Sequence, residues 1–494
     1  MRKKLTLMFV ALLSIAAFAA TQALTQSRRA AGALIDFPTS SAGIQANGTT
    51  LSTTVENYPV FQLKNGYTGN NVGNNIALSV DGGFKKGDVV TVAGFIKNAD
   101  ASKYGTADLF SATGDAGKAD IVRIYRFENF PNLNNGDATI SEQTYTLTQD
   151  YDILYIGRYG NTNTNLTVIK VTREPVDIEI AAADITDGDI TAAIAAKTEG
   201  VAKVGNLTIN LDKTVAYKVT ASIVVGKGLV INGNGATIDA SALSADLVQW
   251  SSEPVVDKVE SGQYLITDPV TIQGIKVTGL TKAIIGDKDV AYAFDTFTID
   301  DCVFQWNTQA SVGIDFSASM PIKLNITNST FYSKEAGSSN FMAISGKRPH
   351  QITGYEGGLI TLANNTFYNI AKSKQLINTN TLKGQKADKF AFNKNIFVDC
   401  SNKKIFANIT NNTEQVSGEL NTYWYGGETY TENYRPDEGL ATDPKFKDAA
   451  NGDFTIDEHS DQAQYKTGDP RWLVPYVGIV DMGAPTDPID VVVP

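Results

Sequence analysis

One stretch of the sequence gathers side chains that could do chemistry. It runs from Ser345 to Tyr355, is bounded by glycine and proline, and holds Lys347, Arg348 and His350 on an acidic chain. Cationic side chains can hold a carboxylate or supply a base for proton abstraction. Long loops on rigid scaffolds often carry function. These three residues are therefore candidate catalytic residues, and an exposed loop with ordinary charges is the alternative.

Aromatic residues form the second candidate group, because sugar rings stack on exposed Trp and Tyr faces. The densest cluster lies between 421 and 434, and a further tryptophan directly follows a predicted corner of the chain. The candidate sugar-binding residues are Trp306, Tyr355, Tyr423, Trp424, Tyr425 and Tyr430, with Tyr434 in the same cluster. For each of them, burial in the fold is the alternative. Tyr155, Arg158 and Tyr159 are weaker candidates nearer the N-terminus.

Two adjacent carboxylates, Asp300 and Asp301, are candidates for a cation site, since Ca²⁺ prefers oxygen ligands. A solvated strand end and a hydrogen bond at a corner explain them more simply. Another metal site is not predicted, because the two cysteines and two histidines of the chain show no ligand spacing.

The elements that must position these residues are revealed by a pattern that occurs four times, at 297–304, 324–331, 360–367 and 390–397. Each copy alternates apolar with polar residues, turns at a polar corner and ends on an aromatic. The closing residues Phe304, Phe331, Phe367 and Phe397 lie 27, 36 and 30 residues apart. Repeats of this length predict stacked units that bury a core only together, here a coil of parallel strands.

The alignment of the copies makes further predictions. The four phenylalanines should stack inside the coil. The corner residues Asp301, Asn328 and Asn364 should form a ladder of side chains, which Lys394 breaks. Outward positions on the first strand of each copy include only one acidic residue, Asp300, and no basic one.

The two cysteines allow a test of the coil. Cys302 belongs to the first copy and Cys400 follows the fourth, so three steps of about 4.8 Å separate them by about 14 Å. A disulfide needs Cα atoms within about 7 Å. We expect two buried free thiols.

The first part of the mature chain, residues 31–173, consists of short alternating runs between Gly, Asn and Asp turns, which is typical of a β-sandwich. Glu174 and Pro175 are predicted to form a linker. Asp187 or Asp189 can then cap a helix with Ile190 and Ala193 on its apolar face. We expect this helix to close the open end of the coil, and a purely connecting helix is the alternative. The coil and its C-terminal cap are expected to occupy residues 180–480, with a tail at 481–494.

The first 23 residues predict the compartment. Three basic residues precede an apolar run and small-residue cleavage sites, which is the pattern of a secretory signal peptide. No cysteine lies near the cleavage site, so lipid attachment there is not expected. No later segment is long enough to span a membrane. We expect a mature chain without a transmembrane segment that is secreted, periplasmic or on the cell surface. Losing three positive charges takes the net charge from −11 to −14, which argues against nucleic acid as a partner.

Several strings resemble known families. Segments 35–39, 82–88 and 154–160 resemble the jelly-roll modules of secreted pectate-lyase-like proteins from polysaccharide-degrading Gram-negative bacteria. Residues 206–400, above all 231–240, resemble the right-handed parallel β-helix of the pectin-lyase-like superfamily. Strings 443–454 and 468–472 are similar to the C-terminal ends of uncharacterised secreted β-helix proteins. The expected fold is all-β, a right-handed parallel β-helix preceded by a jelly-roll-like β-sandwich.

Three functions follow from these expectations. The favoured hypothesis is a protein that recognises plant-type or other acidic polysaccharides on the flank of the β-helix. The resemblance also allows a calcium-dependent lyase, with Lys347 or Arg348 as base and Asp300 or Asp301 near the ion. The paired aspartates and the Gly-His-Gly of β-helix galacturonan hydrolases are absent. A structural adhesin or spacer is the third hypothesis. The sequence does not indicate the oligomeric state or the glycan.

Overall fold

A computed structural model gives the fold of the chain. It describes residues 33–47, 50–55, 58–63, 75–100, 102–113, 120–134, 139–158, 162–201, 203–251, 254–260, 263–286, 292–316, 320–344, 358–378, 389–401, 405–407, 415–429, 435–440 and 442–477. These residues are nearly all β and form two compact units, with the main boundary between Val176 and Asp177. The predicted signal peptide and tail lie outside the described residues, and the predicted domain limits stay predictions.

The N-terminal unit is a sandwich of two antiparallel sheets. The first sheet contains Ala33–Phe37, Thr50–Val55, Tyr58–Leu63, Val89–Phe95, Glu142–Thr146 and Thr164–Thr172. The second contains Ile44–Asn47, Asn75–Phe84, Gly105–Thr113, Asp120–Phe130 and Tyr151–Gly157. Alternate residues of both sheets, among them Val92, Leu109 and Ile156, form one buried core. The predicted β-sandwich is confirmed.

The C-terminal unit is a right-handed parallel β-helix, as predicted. Each turn of the coil contributes a strand to three flanks, which we call sheets A, B and C. A sharp corner joins sheet A to sheet B, so several strands run through both. The strands of A and B are Val176–Ile180, Val204–Asn210, Ala216–Lys218, Leu229–Asp239, Lys258–Glu260, Gln263–Ile266, Val270–Leu280, Tyr292–Asp300, Val303–Thr308, Met320–Thr327, Thr330–Glu335, Leu359–Ala363, Thr366–Tyr368, Lys389–Asn393, Ile396–Val398, Val416–Glu419, Thr422–Tyr425 and Glu428–Thr429. Sheet C contains Ile223–Val225, Val248–Trp250, Ile285–Gly286, Ile314–Phe316, Met342–Ile344, Ile377–Asn378 and Phe406–Ala407.

Helices are few among the described residues. An α-helix, Ile190–Thr198, follows two 3₁₀ turns, Ala182–Asp184 and Thr186–Gly188. Asp189 caps it by accepting a hydrogen bond from Ala192 N, so the second of the two predicted caps is the correct one. A short α-helix, Asp461–Tyr465, and the 3₁₀ turns Ala449–Asn451 and Pro470–Trp472 lie near the C-terminus. Within the described ranges, no helix has the length and hydrophobicity needed to span a membrane.

The interior of the coil contains the predicted aromatic stack. Phe304, Phe331, Phe367 and Phe397 are aligned in register, with neighbouring ring centroids 5.0 to 5.6 Å apart and nearly parallel planes. Tyr423 continues the stack, 5.5 Å from Phe397. The repeat alignment is therefore confirmed and extends by one further turn.

The predicted ladder exists, but one residue later than expected. Asp301, Asn328, Asn364 and Lys394 all adopt positive φ angles near 50°, which turns the chain from sheet A to sheet B. The next residue of each turn points inward. Asn365 Nδ2 donates to Asn395 Oδ1 (2.9 Å), and Asn395 Nδ2 donates to Asn421 Oδ1 (3.0 Å). The prediction was wrong because a residue in the left-handed backbone conformation directs its own side chain outward. The side chain of the following residue is then buried.

The thiols occupy similar inward positions. Cys302 stands where later turns place the ladder residues, and Cys302 and Cys400 are both buried and free. Burial raises the pKa of the Cys302 thiol to about 12 and also raises the pKa of Cys400. The prediction of two free thiols is confirmed.

Residues 443–474, which we call the cover segment, lie on the outer face of sheet B. Phe454 packs against Tyr332 and Tyr368 at centroid distances of 5.1 and 5.7 Å. Further along, Ile456 and Ala463 pack on Ile396, Val398 and Trp424. The segment therefore hides an apolar face that would otherwise meet solvent.

Candidate functional site

A groove opens on sheet B where the cover segment ends. Its volume is about 280 Å³. The sheet side is lined by Gly235, Thr237, Gly274, Ile275, Lys276, Asp301, Val303 and Tyr332, and the cover segment contributes Gly452, Arg471 and Trp472. All of these residues belong to the β-helix unit.

Register explains why the groove lies at this position. Thr237, Lys276, Val303 and Thr330 occupy one outward row of sheet B on successive turns. The cover segment reaches Thr330 and Val303, whereas Thr237 and Lys276 remain exposed. The row therefore changes from covered to open between Val303 and Lys276.

Glycines form one side of the groove. At Gly233 a Cβ atom would lie 2.3 Å from the carbonyl oxygen of Gly274, so two turns of the coil approach there as only glycine permits. Gly235 and Gly274 adopt positive φ angles and carry the corner without side chains. The corner therefore leaves open space beside Lys276.

Arg471 fastens the cover segment to the corner. Its Nη2 atom donates to the carboxylate of Asp301 (2.5 Å) and to the Asp301 carbonyl oxygen (3.1 Å). Its Nη1 atom donates to Asp469 Oδ2 (2.7 Å). One guanidinium therefore pairs with both carboxylates at this end of the groove.

Asp469 is the buried centre of this anchor, with a side chain only 1% exposed. It accepts hydrogen bonds from Thr330 Oγ1 (2.6 Å) and Arg471 N (2.9 Å) as well as from the guanidinium. Burial raises the pKa of Asp469 to about 6, although Arg471 and the hydrogen bonds favour the ionised form. Trp472 Nε1 also donates to Thr330 Oγ1 (2.7 Å), which fixes the indole at the rim.

Two polar groups of the groove have no partner among the described residues. Lys276 is exposed and forms no ion pair with another described residue. Tyr332 is 5% exposed, and its hydroxyl forms no hydrogen bond with another described residue. The groove thus offers one ammonium, one phenol hydroxyl and a half-buried indole, with its carboxylates already paired.

Two of the predicted sugar contacts are corrected by burial. Trp306 is completely buried, and its Nε1 atom donates to the carbonyl oxygen of Lys282 (2.9 Å). Tyr423 is 1% exposed, belongs to the aromatic stack and donates its hydroxyl proton to Asp437 Oδ1 (2.7 Å). Neither ring has a free face on which a sugar could stack.

Their neighbours are only partly accessible. Trp424 lies half-buried against Ile396 and Val398 under the cover segment. The ammonium of Lys372 lies 5.8 Å from the ring centroid of Tyr425. In the sandwich, Tyr155 stacks on Phe110, and Arg158 is buried beside Asn163.

The two candidate calcium ligands have separate roles. Asp300 accepts hydrogen bonds from Thr327 Oγ1 (2.6 Å) and Asn328 Nδ2 (2.8 Å) on the next turn, whereas Asp301 pairs with Arg471. No cluster of three or more potential metal ligands occurs among the residues that the structure describes. A calcium site at Asp300 and Asp301 stays a prediction.

The remaining candidates are Lys347, Arg348, His350, Tyr355, Tyr159, Tyr430 and Tyr434, which all lie outside the described residues. The loop hypothesis is therefore untested and stays a prediction.

Sequence reasoning did not select the groove residues Lys276, Tyr332, Arg471 and Trp472. One signal was present, because the string 468–472 resembles a family motif and contains Arg471 and Trp472. Pairing that string with the corner of the first repeat copy required the folded chain.

Comparisons with known families cover two parts of the β-helix unit. Residues 189–334 match the family described as Domain of unknown function (DUF4957), and residues 360–472 match Domain of unknown function (DUF5123). Both sides of the groove therefore fall in matched regions, the sheet side in the first and Gly452, Arg471 and Trp472 in the second. No curated protein matches the chain.

Solved structures show only distant likeness. The catalytic domain of a GH87 α-1,3-glucanase in complex with nigerose matches at 12% identity and a TM-score of 0.25, covering 74% of this chain and 69% of that chain. The C-terminal family 22 carbohydrate-binding module of Clostridium thermocellum Xyn10B matches at 15% identity and a TM-score of 0.22, covering 28% and 92%. At such scores, arguments about function must rest on the groove itself.

Proposed function

We propose that this protein recognises acidic polysaccharides through the groove beside Lys276. The observation that carries the proposal is the combination of an unpaired ammonium, an unpaired phenol hydroxyl and an indole around one glycine-walled space. A sugar acid offers a carboxylate, several hydroxyls and an apolar ring face. Each of these matches one group in the groove.

The charges at the groove are compatible with an anionic ligand. Arg471 lies between Asp301 and Asp469, and its single positive charge balances one of the two carboxylates. Lys276 balances the other, so the groove is close to neutral on a chain whose net charge is −11. A polyanion is therefore repelled less at the groove than by an acidic surface, and the exposed ammonium of Lys276 offers one contact for a carboxylate.

Size favours one sugar unit as the recognised element. The groove volume of about 280 Å³ is just below the usual range of ligand pockets, which begins at about 300 Å³. Its open side at Thr237 allows a chain to continue along the flank. The outward row of sheet B would support such a chain.

A glycan panel tests the proposal. Purified protein is titrated with hexamers of galacturonate, mannuronate and glucuronoxylan and with neutral xylan and mixed-linkage glucan, with and without calcium, and affinity is measured by calorimetry. We expect binding of at least one uronate ligand that weakens with salt. Failure of every acidic ligand to bind would contradict the proposal and favour the adhesin or spacer hypothesis.

Two variants locate the binding surface. Lys276→Gln removes the charge with little change in shape and should weaken uronate binding about tenfold, as expected for a charge-assisted contact. Lys323→Gln is the matched control, since Lys323 is an exposed lysine on a sheet A strand. Equal affinities of both variants would show that the binding site does not include the groove.

The same samples test the lyase hypothesis. Unsaturated products absorb in the ultraviolet, so their appearance would establish elimination. Lys347→Ala and Arg348→Ala should then abolish turnover, whereas under the binding proposal they leave retention of the glycan unchanged.

A further inference from the structure

We propose that the Tyr332 hydroxyl forms a hydrogen bond with a ring hydroxyl of the sugar unit whose carboxylate is held by Lys276. This inference rests on the proposed function and names a specificity-determining residue within it. Tyr332 is 5% exposed, lines the groove and makes no hydrogen bond with another described residue.

The Tyr332 hydroxyl is accessible from the groove. The side chain as a whole is 5% exposed, but its oxygen is not one of the fully buried polar atoms that lack a partner. A sugar hydroxyl bound there would replace water as the hydrogen-bond partner. Packing alone would be satisfied by phenylalanine, because the ring of Tyr332 already contacts Phe454. The hydroxyl is therefore suited to a partner that arrives from the groove.

The wall opposite the hydroxyl is kept free of side chains. A Cβ atom on Gly452 would lie 2.7 Å from the Tyr332 hydroxyl oxygen, and Gly452 has a φ of 83°. Any larger residue at this position would be strained and would press on the hydroxyl. Gly452 thus preserves the space in front of Tyr332.

The placement of Tyr332 and Lys276 suits two edges of one sugar. Lys276 pairs with Val303 and Val303 with Thr330, so Tyr332 lies two turns from Lys276 and two residues further along the strand. Two steps of about 4.8 Å across the sheet and two residues of about 3.3 Å along it separate the backbones by about 12 Å, which the two long side chains and one sugar unit can span. Burial also raises the pKa of Tyr332, so the phenol stays protonated and able to donate.

Tyr368 provides a matched control. It is the register partner of Tyr332 on the next turn and also packs on Phe454, but it does not line the groove. Tyr332→Phe and Tyr368→Phe remove the same atom from neighbouring turns.

The experiment uses two ligands, hexagalacturonate and its carboxyl-reduced, neutral counterpart, with affinities measured by calorimetry or NMR titration on the full mature chain. We expect Tyr332→Phe to weaken binding of both ligands about five- to tenfold, the size of one hydrogen bond. Lys276→Gln should weaken only the charged ligand, and Tyr368→Phe should change neither by more than about twofold. The melting temperature of Tyr332→Phe should equal or exceed that of the parent.

The outcomes separate the two proposals. Binding that depends on Lys276 but is unchanged in Tyr332→Phe overturns this inference and leaves the proposed function intact. A Tyr332→Phe effect confined to the charged ligand also overturns it, because the hydroxyl would then contact the carboxylate. Absence of binding by the parent to hexagalacturonate and to the other uronate hexamers overturns the proposed function and this inference together.

Discussion

The outer face of sheet B contains two regions built on the same strand ladder. In the covered region, Tyr332, Tyr368, Val398 and Trp424 form one row beneath the cover segment. In the open region, the row that contains Val303, Thr330 and Ile396 under the cover segment continues as exposed Lys276 and Thr237. The open region also turns its corner at Gly235 and Gly274 and is not reached by the cover segment, so the corner and the cover together decide which part is packed.

The difference also concerns hydrogen bonds. Outward threonines of the covered region are paired by the cover segment: Thr330 donates to Asp469, Thr366 accepts from Asp469 N, and Thr422 accepts from Gln462. Across the boundary, Lys276 and the Tyr332 hydroxyl have no described partner. The same flank therefore holds a segment of its own chain and, beside it, polar groups without a described partner.

The largest expected effect comes from the interior on which both regions stand. Phe367→Ala should lower the free energy of unfolding by about 3 to 5 kcal/mol, because it leaves a cavity between Phe331 and Phe397. Chemical denaturation measures this change. A variant as stable as the parent would contradict the stacking of Phe367 between Phe331 and Phe397 in the interior.

Phe454→Ala should cost a similar or somewhat smaller amount, about 3 kcal/mol, but its effect should be local. Phe454 is fully buried between Tyr332, Tyr368 and Trp472. Hydrogen exchange should accelerate in residues 443–474 and stay slow in the interior strands. Uniform acceleration through the coil would show that covered and open regions unfold as one unit.

The stability of the protein should depend on pH through Asp469, which anchors the cover segment at the boundary. The folded-state pKa of Asp469 is raised to about 6 from an ordinary value of 3.8, so its contribution to stability is full below about pH 4 and is lost as the pH rises through 6. The shift corresponds to about 3 kcal/mol at most. Denaturation from pH 4 to 7 should show a downward slope that Asp469→Asn reduces. An identical slope in both proteins would exclude Asp469 as the cause of the pH dependence.

Trp424 sharpens the contrast with Lys276. Because Trp424 packs under the cover segment, Trp424→Ala should cost about 2 kcal/mol of stability and leave glycan affinity unchanged. Lys276→Gln should show the reverse pattern. Thermal melting and calorimetry on both variants measure these effects. Weaker glycan binding by a stably folded Trp424→Ala would support the sugar-contact prediction for Trp424.

The smallest effect concerns the thiols. Cys302 and Cys400 are buried with raised pKa values, so alkylation at pH 8 should label neither in the native protein and both after denaturation. Intact mass gives the count. Rapid labelling of native Cys302 would show that the corner beneath Arg471 opens readily.

Local pattern was sufficient where one turn of the coil resembles the next. The alternation in 297–304 and its three copies placed Phe304 and Phe331 in a stack and the cysteines apart, since a register repeated along the chain fixes neighbours in space. The ladder prediction failed by one residue because the direction of a side chain at a corner depends on φ, which composition does not reveal. Trp306 and Tyr423 were misassigned because an aromatic that packs and one that binds look alike in sequence.

By itself, the sequence determined the architecture: a β-sandwich, a parallel coil with an aromatic interior, a helix capped at Asp187 or Asp189 and two unpaired thiols. These follow from periodicities and capping signals that act within a few tens of residues. Only the tertiary structure decided the groove, because Asp469 reaches Thr330 across 139 positions and Arg471 reaches Asp301 across 170. No local pattern encodes such contacts; they form because the apolar face of sheet B must be covered and the cover has to end somewhere, here beside Lys276.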